Sequence, residues 1–245
     1  MTAISPTPTG SATMSRAMAG ADAYYQWIFG LVRPHLGRRV LELGTGPGVL
    51  TRQMLSAGVE TLFSCDVDPR CVEAIDGLDP RLTPACLDLE APGCLDGCAG
   101  RDIDTAVSVN VLEHIENDRA LLAALARVLA PGGKVVLFVP AHMLLYGGMD
   151  RAAGHFRRYT RAGMRALLKE AGFAPVLLRY VNPLGFFGWL FTSRVLGVAD
   201  VNAPMVNSQI RLFDRYLLPL SRLAEPFTGR LFGQSLLAVG RLGGR

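Results

Sequence analysis

The chain has no cysteines at CxxC spacing, no histidines at metal-ligand spacing, no run of basic residues and no apolar stretch long enough to cross a bilayer. Each absence removes a class of function. The five cysteines (Cys65, Cys71, Cys86, Cys94 and Cys98) form no even-numbered framework, which predicts reduced thiols in a cytoplasmic chain rather than a disulfide scaffold. The four histidines (His35, His114, His142 and His155) are spaced unlike any ligand set, so no metal is expected. A net charge of +4 without a Lys/Arg cluster permits an anionic partner but gives no reason to expect nucleic acid. A membrane span needs roughly 20 apolar residues. The nearest run, 184–198, is broken by Arg194. Residues 1–19 are rich in Ser, Thr, Pro, Ala and Gly and lack an apolar core, which predicts a flexible tail and no targeting peptide.

What is present is apolar and periodic. Half of the 245 residues are hydrophobic, enough for one large domain with a sizeable core. Helical spacing covers 21–36, 47–57, 117–129 and 160–171, with a further helix starting near Pro69. Strand-like runs fall at 39–43, 61–66, 82–87, 104–110, 134–139 and 176–181. Pro131-Gly132-Gly133 is expected to stop the third of those helices. Strands alternating with helices predict a parallel sheet with right-handed crossovers. Residues 183–230 interrupt the alternation with an apolar helical segment, and only then comes a last strand-like run, 235–240, expected at an edge or antiparallel. The resulting division is a core domain over 20–182, a helical insertion over 183–230 and a final strand and tail over 231–245.

The centre of the pattern is Val40-Leu41-Glu42-Leu43-Gly44-Thr45-Gly46-Pro47-Gly48. An apolar strand runs into an acid, a glycine-rich turn and a helix start, where free backbone N–H groups point at whatever occupies the turn. Two ligand classes compete, a dinucleotide and S-adenosylmethionine. The dinucleotide fingerprint G-x-G-x-x-G fails, because the third glycine comes one residue early at Gly48. Glu42 would also face a diphosphate unfavourably, yet suits a cationic amino group.

Here the sequence resembles the class I S-adenosylmethionine-dependent methyltransferases. The resemblance rests on Glu42–Gly48, Phe63–Pro69, Leu87-Asp88-Leu89, Ser108–Ile115 and Leu129–Gly133, in order over about residues 22–182. It implies a Rossmann-like, doubly wound, mostly parallel seven-stranded sheet with a helical insertion before the last strand, and S-adenosyl-L-methionine as cofactor. By the same resemblance Gly44, Thr45, Gly46 and Gly48 hold the methionyl end, and Val67 and Leu89 flank the adenine. Asp66 stands at about the roughly 20-residue spacing of a ribose-binding acid. Asp88 is expected near the adenine amino group, and equally fits a turn. Asn110 ends a strand at the cofactor edge, and Tyr24 and Tyr25 lie upstream where they can cover the methionyl end.

Candidate bases cluster after strands four and five: Glu113, His114, His155 and Tyr159. The run Gly154-His155-Phe156-Arg157-Arg158-Tyr159-Thr160 resembles a bacterial subgroup with Gly-His-x-Arg-Arg-Tyr-Thr at this place. Its arginine pair either holds an anionic acceptor or caps carbonyls. Aromatic residues in 140–160 and 183–230 predict a lid over a hydrophobic small-molecule or lipid-like acceptor. A peripheral membrane contact through 183–230 is the other expectation for that segment. Alternative readings are a cofactor-binding scaffold without catalysis and an RNA methyltransferase. The latter is disfavoured because no Asn/Asp-Pro-Pro-Tyr/Phe-like motif and no basic module is present.

Overall fold

A computed structural model describes residues 21–192 and 212–243. The expected tail at 1–19, Arg194 and the middle of the helical insertion lie outside the described residues. The element order is α1 (Asp22–Val32), β1 (Arg39–Leu43), α2 (Val49–Ser56), β2 (Thr61–Asp66), α3 (Pro69–Glu73), β3 (Leu82–Cys86), β4 (Ile103–Val109), α4 (Asp118–Val128), β5 (Leu129–Pro140), α5 (Gly148–Ala152), α6 (Arg161–Glu170), β6 (Phe173–Val181), α7 (Pro183–Leu190), α8 (Leu218–Thr228) and β7 (Ser235–Leu242). A π-helical turn, Phe213–Leu217, leads into α8.

The strands form one sheet in the order β3-β2-β1-β4-β5-β7-β6. All pairings are parallel except those of β7, which is antiparallel to both β5 and β6. This is the Rossmann-like, mostly parallel seven-stranded sheet the sequence led one to expect. One alternative is corrected: β7 is not an edge strand but wedges between β5 and β6. Its residues 235–240 are all buried, as a strand covered on both faces must be.

Period-two alternation distributes the side chains between two cores. Leu41 and Leu43 of β1, and Val135, Leu137 and Val139 of β5, face α4 and α6. Val40, Val136 and Phe138 face α1 and α2. Glu42 alternates with Leu41 and Leu43, so it lands on the α2 side, where its bonding partners wait.

Two boundaries differ from the sequence reading. Helix α4 ends at Val128, and β5 begins at once at Leu129, so Pro131-Gly132-Gly133 lies within the strand as a break in register. A Cβ on Gly133 would lie 2.8 Å from Ala130 O, so a side chain there could not be added without a backbone shift. The helical layer is tied down by Asn182. Its Oδ1 accepts from Gly185 N and Ser221 Oγ (2.9 and 3.1 Å), its Nδ2 donates to Gln234 (2.8 Å), and its own N–H donates to Glu225 (3.1 Å). One residue thereby joins α7, α8 and the approach to β7. No helix among the described residues is long and apolar enough to cross a membrane.

Candidate active site

The site lies along the carboxyl ends of β1, β2, β4 and β5, where open α/β sheets bind ligands. Of the four described non-glycine residues at positive φ, one, Asp102, precedes β4 at the other end of the sheet, and three gather at this edge. Asn110, His142 and Asn182 are non-glycine residues at positive φ (53°, 61° and 60°), each just beyond the end of β4, β5 or β6. Such conformations persist where the surroundings fix them, and they gather at functional sites.

The β1–α2 turn is held by β2. The amides of Gly44 and Thr45 both donate to Cys65 O (2.8 and 3.0 Å), and Gly46 N donates to Asp66 Oδ2 (2.8 Å). The glycines serve different ends. A Cβ on Gly44 would lie 2.2 Å from Val111 Cγ2, and one on Gly48 would lie 2.5 Å from Ile75 Cγ2. Those two positions are closed by the protein's own packing. Gly46, at φ 52°, faces nothing within 4 Å, so its bare backbone opens onto the space a ligand would fill.

Beneath the turn, Glu42 is 2 % exposed. Its Oε2 accepts from Thr51 Oγ1 (2.7 Å) and Ser64 Oγ (2.5 Å), while Oε1 has no partner. Burial outweighs those two bonds and pushes its carboxyl up to about 7. A buried acid oxygen without a partner, at the end of the strand that leads into the glycine turn, fits a cationic group. Asp66 is nearly buried, with Oδ1 on Asp68 N (2.9 Å) and Oδ2 on the glycine turn, so its position is fixed before any ligand arrives. Asp68 caps α3 instead, accepting from Arg70 N at 3.0 Å. Val67 is 41 % exposed and Leu89 half-buried. Asp88 is exposed, and its Oδ1 accepts from Glu90 N (2.9 Å), the turn role weighed for it.

The two tyrosines, read alike from the sequence, differ in the structure. Tyr25 is packed in the core with Trp27 and Ile28. Tyr24 turns toward the site, its hydroxyl bonding the side chains of Ser235 and Asn110, and burial raises its pKa. Beyond Asn110, the 3-10 turn Leu112–His114 places Glu113 and His114 against His155 from the loop after α5. The two imidazoles meet edge to face with centroids 4.6 Å apart. His155 Nδ1 lies 2.9 Å from Asp150 Oδ1. Burial, then His155, pushes His114 down to about 4. Burial pushes Glu113 up to about 7. Burial also works to raise Asp150, but the His155 bond and the Arg158 charge prevail and hold it below the ordinary aspartate value.

So His114 and His155 come together, whereas Tyr159 does not join them. Its hydroxyl donates to Asp118 Oδ2 (2.9 Å) and Leu112 O (3.1 Å), and burial beside Asp118 raises its pKa further. Tyr159 thereby cross-links α4 and the loop. The arginine pair is structural too. Arg157 bonds Glu116 O and pairs with Asp118 (2.7 and 2.8 Å), while Arg158 pairs with Asp150 (2.7 Å) and stacks over Trp189. Thr51, Ser64 and Asp150 escaped the sequence reading. The available signal was Ser64, one alternation before Asp66 on the same side of β2. Sequence spacing gave no ligand set, but the fold brings ligand atoms of Glu113, His114 and His155 within 4.8 Å of one another.

The family profile described as "Methyltransferase domain" matches residues 25–178. The chain belongs to that methyltransferase family. An uncharacterized methyltransferase of Mycobacterium tuberculosis is 29% identical over 146 residues, covering 59% of this chain and 56% of the relative. One from Mycobacterium leprae is 31% identical over 145 residues, covering 59% and 52%. The chain spans little more than half the length of these curated relatives. Among solved structures, the methyltransferase bound to the Trm112 activator in Haloferax volcanii aligns with TM-score 0.64 at 17% identity, covering 94% of each chain. An S-adenosylmethionine-dependent methyltransferase of Mesorhizobium loti aligns with TM-score 0.60 at 17% identity, covering 91% of this chain and all of its own. The [4+2]-cyclase SpnF aligns with TM-score 0.58 at 17% identity, covering 97% of this chain and 87% of its own. These likenesses establish the shared fold, on which different chemistries occur.

Proposed function

We propose that this methyltransferase carries the methyl group of S-adenosyl-L-methionine to an N, O or C atom of a hydrophobic small-molecule or lipid-like acceptor. The observation that supports it most is the pairing at one sheet edge of an open Gly46 with the unpartnered Oε1 of Glu42. A cation bound there would keep Glu42 ionised, and Asp66 next to the turn would take the ribose hydroxyls. Asn110 and Tyr24 would line the methionyl end, with Val67, Asp88 and Leu89 about the adenine.

The cofactor is already activated by its sulfonium charge, so the protein's work is to position, to exclude water and to take a proton where the acceptor carries one. The acceptor lone pair forms the bond to the methyl carbon, and the carbon–sulfur pair stays on sulfur to give S-adenosylhomocysteine. His155, oriented by Asp150, and the neutral His114 are the proton acceptors of this reading. Phe186, Phe187 and Phe232 stack edge to face beside His142 and supply an apolar wall for the acceptor.

Calorimetric titration with S-adenosylmethionine, S-adenosylhomocysteine and NAD tests the cofactor class. Binding of the first two and not the third is expected, and the reverse would end the proposal. Catalysis as against a silent scaffold is read from methyl-labelled cofactor incubated with a panel of phenols, amines and lipids. Label in an apolar extract, matched by released S-adenosylhomocysteine, is the expected result, and the loss of that label in His155→Ala with cofactor binding intact places His155 in the reaction.

A further inference from the structure

Glu113 presents an unresolved polar problem. It is 1 % exposed, and neither carboxylate oxygen has a hydrogen-bond partner in another residue. Buried polar groups are almost always bonded, and an orphaned carboxylate in a protein interior calls for a cation or a proton. Ligand nitrogens of two imidazoles, His114 and His155, lie within 4.8 Å of it. Arg158, whose charge reaches Glu113, is already paired with Asp150 and stacked on Trp189.

Both rings are held from behind. His155 Nδ1 is bonded to Asp150 Oδ1, and that carboxylate is fixed in turn by Arg158 Nε (2.7 Å) and Gly147 N (3.0 Å). His114 bonds the backbone of Gly154. Each histidine thus keeps one ring nitrogen for the cluster while an oxygen acceptor fixes the other. Metal-bound histidines are oriented in this way, because the bond behind the ring fixes its tautomer and raises its basicity.

We propose that Glu113, His114 and His155 form a binding site for a divalent transition-metal ion. Two imidazoles and one carboxylate suit Zn2+, Co2+ or Mn2+ better than the all-oxygen preferences of Ca2+ and Mg2+. The fit needs only a small closure. Ligand atoms each about 2.1 Å from a metal stand roughly 3.0–3.4 Å apart, against the present limit of 4.8 Å. Three protein ligands leave coordination positions open. This part rests on the methyl-transfer reading: an acceptor with a hydroxyl, best one with a second oxygen beside it, would bind the ion through oxygen. With the ion bound, the two imidazoles would serve as ligands in place of proton acceptors; the ion would lower the hydroxyl's pKa, as it does for bound water, and the proton would pass to solvent. The oxygen lone pair then forms the bond to the methyl carbon and the carbon–sulfur bond breaks onto sulfur.

The test uses the full chain, stripped with a chelator and titrated with Co2+ and Zn2+ by calorimetry, with the visible spectrum of the Co2+ form recorded. One ion per chain is expected, with ligand-field bands of a nitrogen/oxygen site. Glu113→Gln, which keeps the side chain's size, and His155→Ala should each weaken binding at least about tenfold. His35→Ala, at the opposite end of the sheet before β1, should leave it unchanged. The proposal fails if the stripped chain takes up neither ion, or if affinity is the same in Glu113→Gln as in wild type, which means an adventitious surface ion only. S-adenosylmethionine is titrated into the same stripped material. Cofactor binding without metal binding overturns this site alone, and metal binding without cofactor binding overturns the methyl-transfer reading alone.

Discussion

Glu42→Gln separates stability from cofactor binding. The glutamine is isosteric, and its amide oxygen can keep the bonds from Thr51 and Ser64. What it removes is the charge. The carboxyl of Glu42 sits at about 7 when folded, above its ordinary value of 4.5. A raised acid stabilises the fold while it is protonated, so this contribution is present at low pH and is lost as pH rises from about 4.5 through 7. At 1.36 kcal/mol per pKa unit, the ligand-free wild type loses roughly 2–3 kcal/mol between pH 5 and pH 8 from this one group. The glutamine variant has nothing there to titrate. Thermal unfolding should therefore show the variant gaining on wild type as pH rises, by several degrees for a domain of this size. Cofactor binding should move the other way. Removing a charge-assisted bond to the cofactor's amino group costs about 1.5–3 kcal/mol, or about 10- to 100-fold in affinity. In wild type, affinity should rise with pH through about 7 as Glu42 ionises, and in the variant it should be flat. Parallel melting curves across pH, or undiminished affinity for S-adenosylmethionine in the variant, would refute the assignment of Glu42.

Three further outcomes are expected. Gly46→Val meets no neighbour, so it should fold at a cost of about 1–2 kcal/mol for its left-handed backbone, yet calorimetry should find cofactor affinity reduced at least tenfold because the added side chain enters the open space. Tyr159→Phe strips a donor from Asp118 and Leu112 O and should lower the unfolding free energy by about 1–3 kcal/mol, while turnover per folded molecule stays at the wild-type level, as a cross-link and not a base requires. On α8, Leu223 and Phe227 are 72% and 82% exposed beside the exposed Arg222. If that face rests on lipid headgroups, wild type should float with anionic vesicles and the double variant Leu223→Asp, Phe227→Asp should remain unbound.

What was legible in the sequence was local. The β1–turn–α2 unit reads directly because its strand, glycines and helix start are consecutive. The place of β7 was not local. Its partners are β5 and β6, reached only after the helical insertion, and nothing in 235–240 names them. One signal was available: an unbroken apolar run without alternation belongs to a strand buried on both faces, which excludes an edge. The site divides in the same way. Glu42, Asp66 and the glycines belong to one βαβ unit and their spacing is set by its geometry. Glu113, His114 and His155 come from loops after two different strands, so no spacing rule for ligands within one element applies to them. What brings them together is that parallel strands deliver their connections to a common edge. At that edge the chain must turn sharply to come back over the sheet, and Asn110, His142 and Asn182 adopt positive φ there. Asparagine tolerates that conformation and histidine does so at greater cost. His142 is held nonetheless, its amide on Tyr159 O and its ring against Tyr180 and Phe186. A strained histidine fixed from two sides at the mouth of the apolar wall points to the same edge as the cofactor motifs, on grounds of backbone geometry that owe nothing to them.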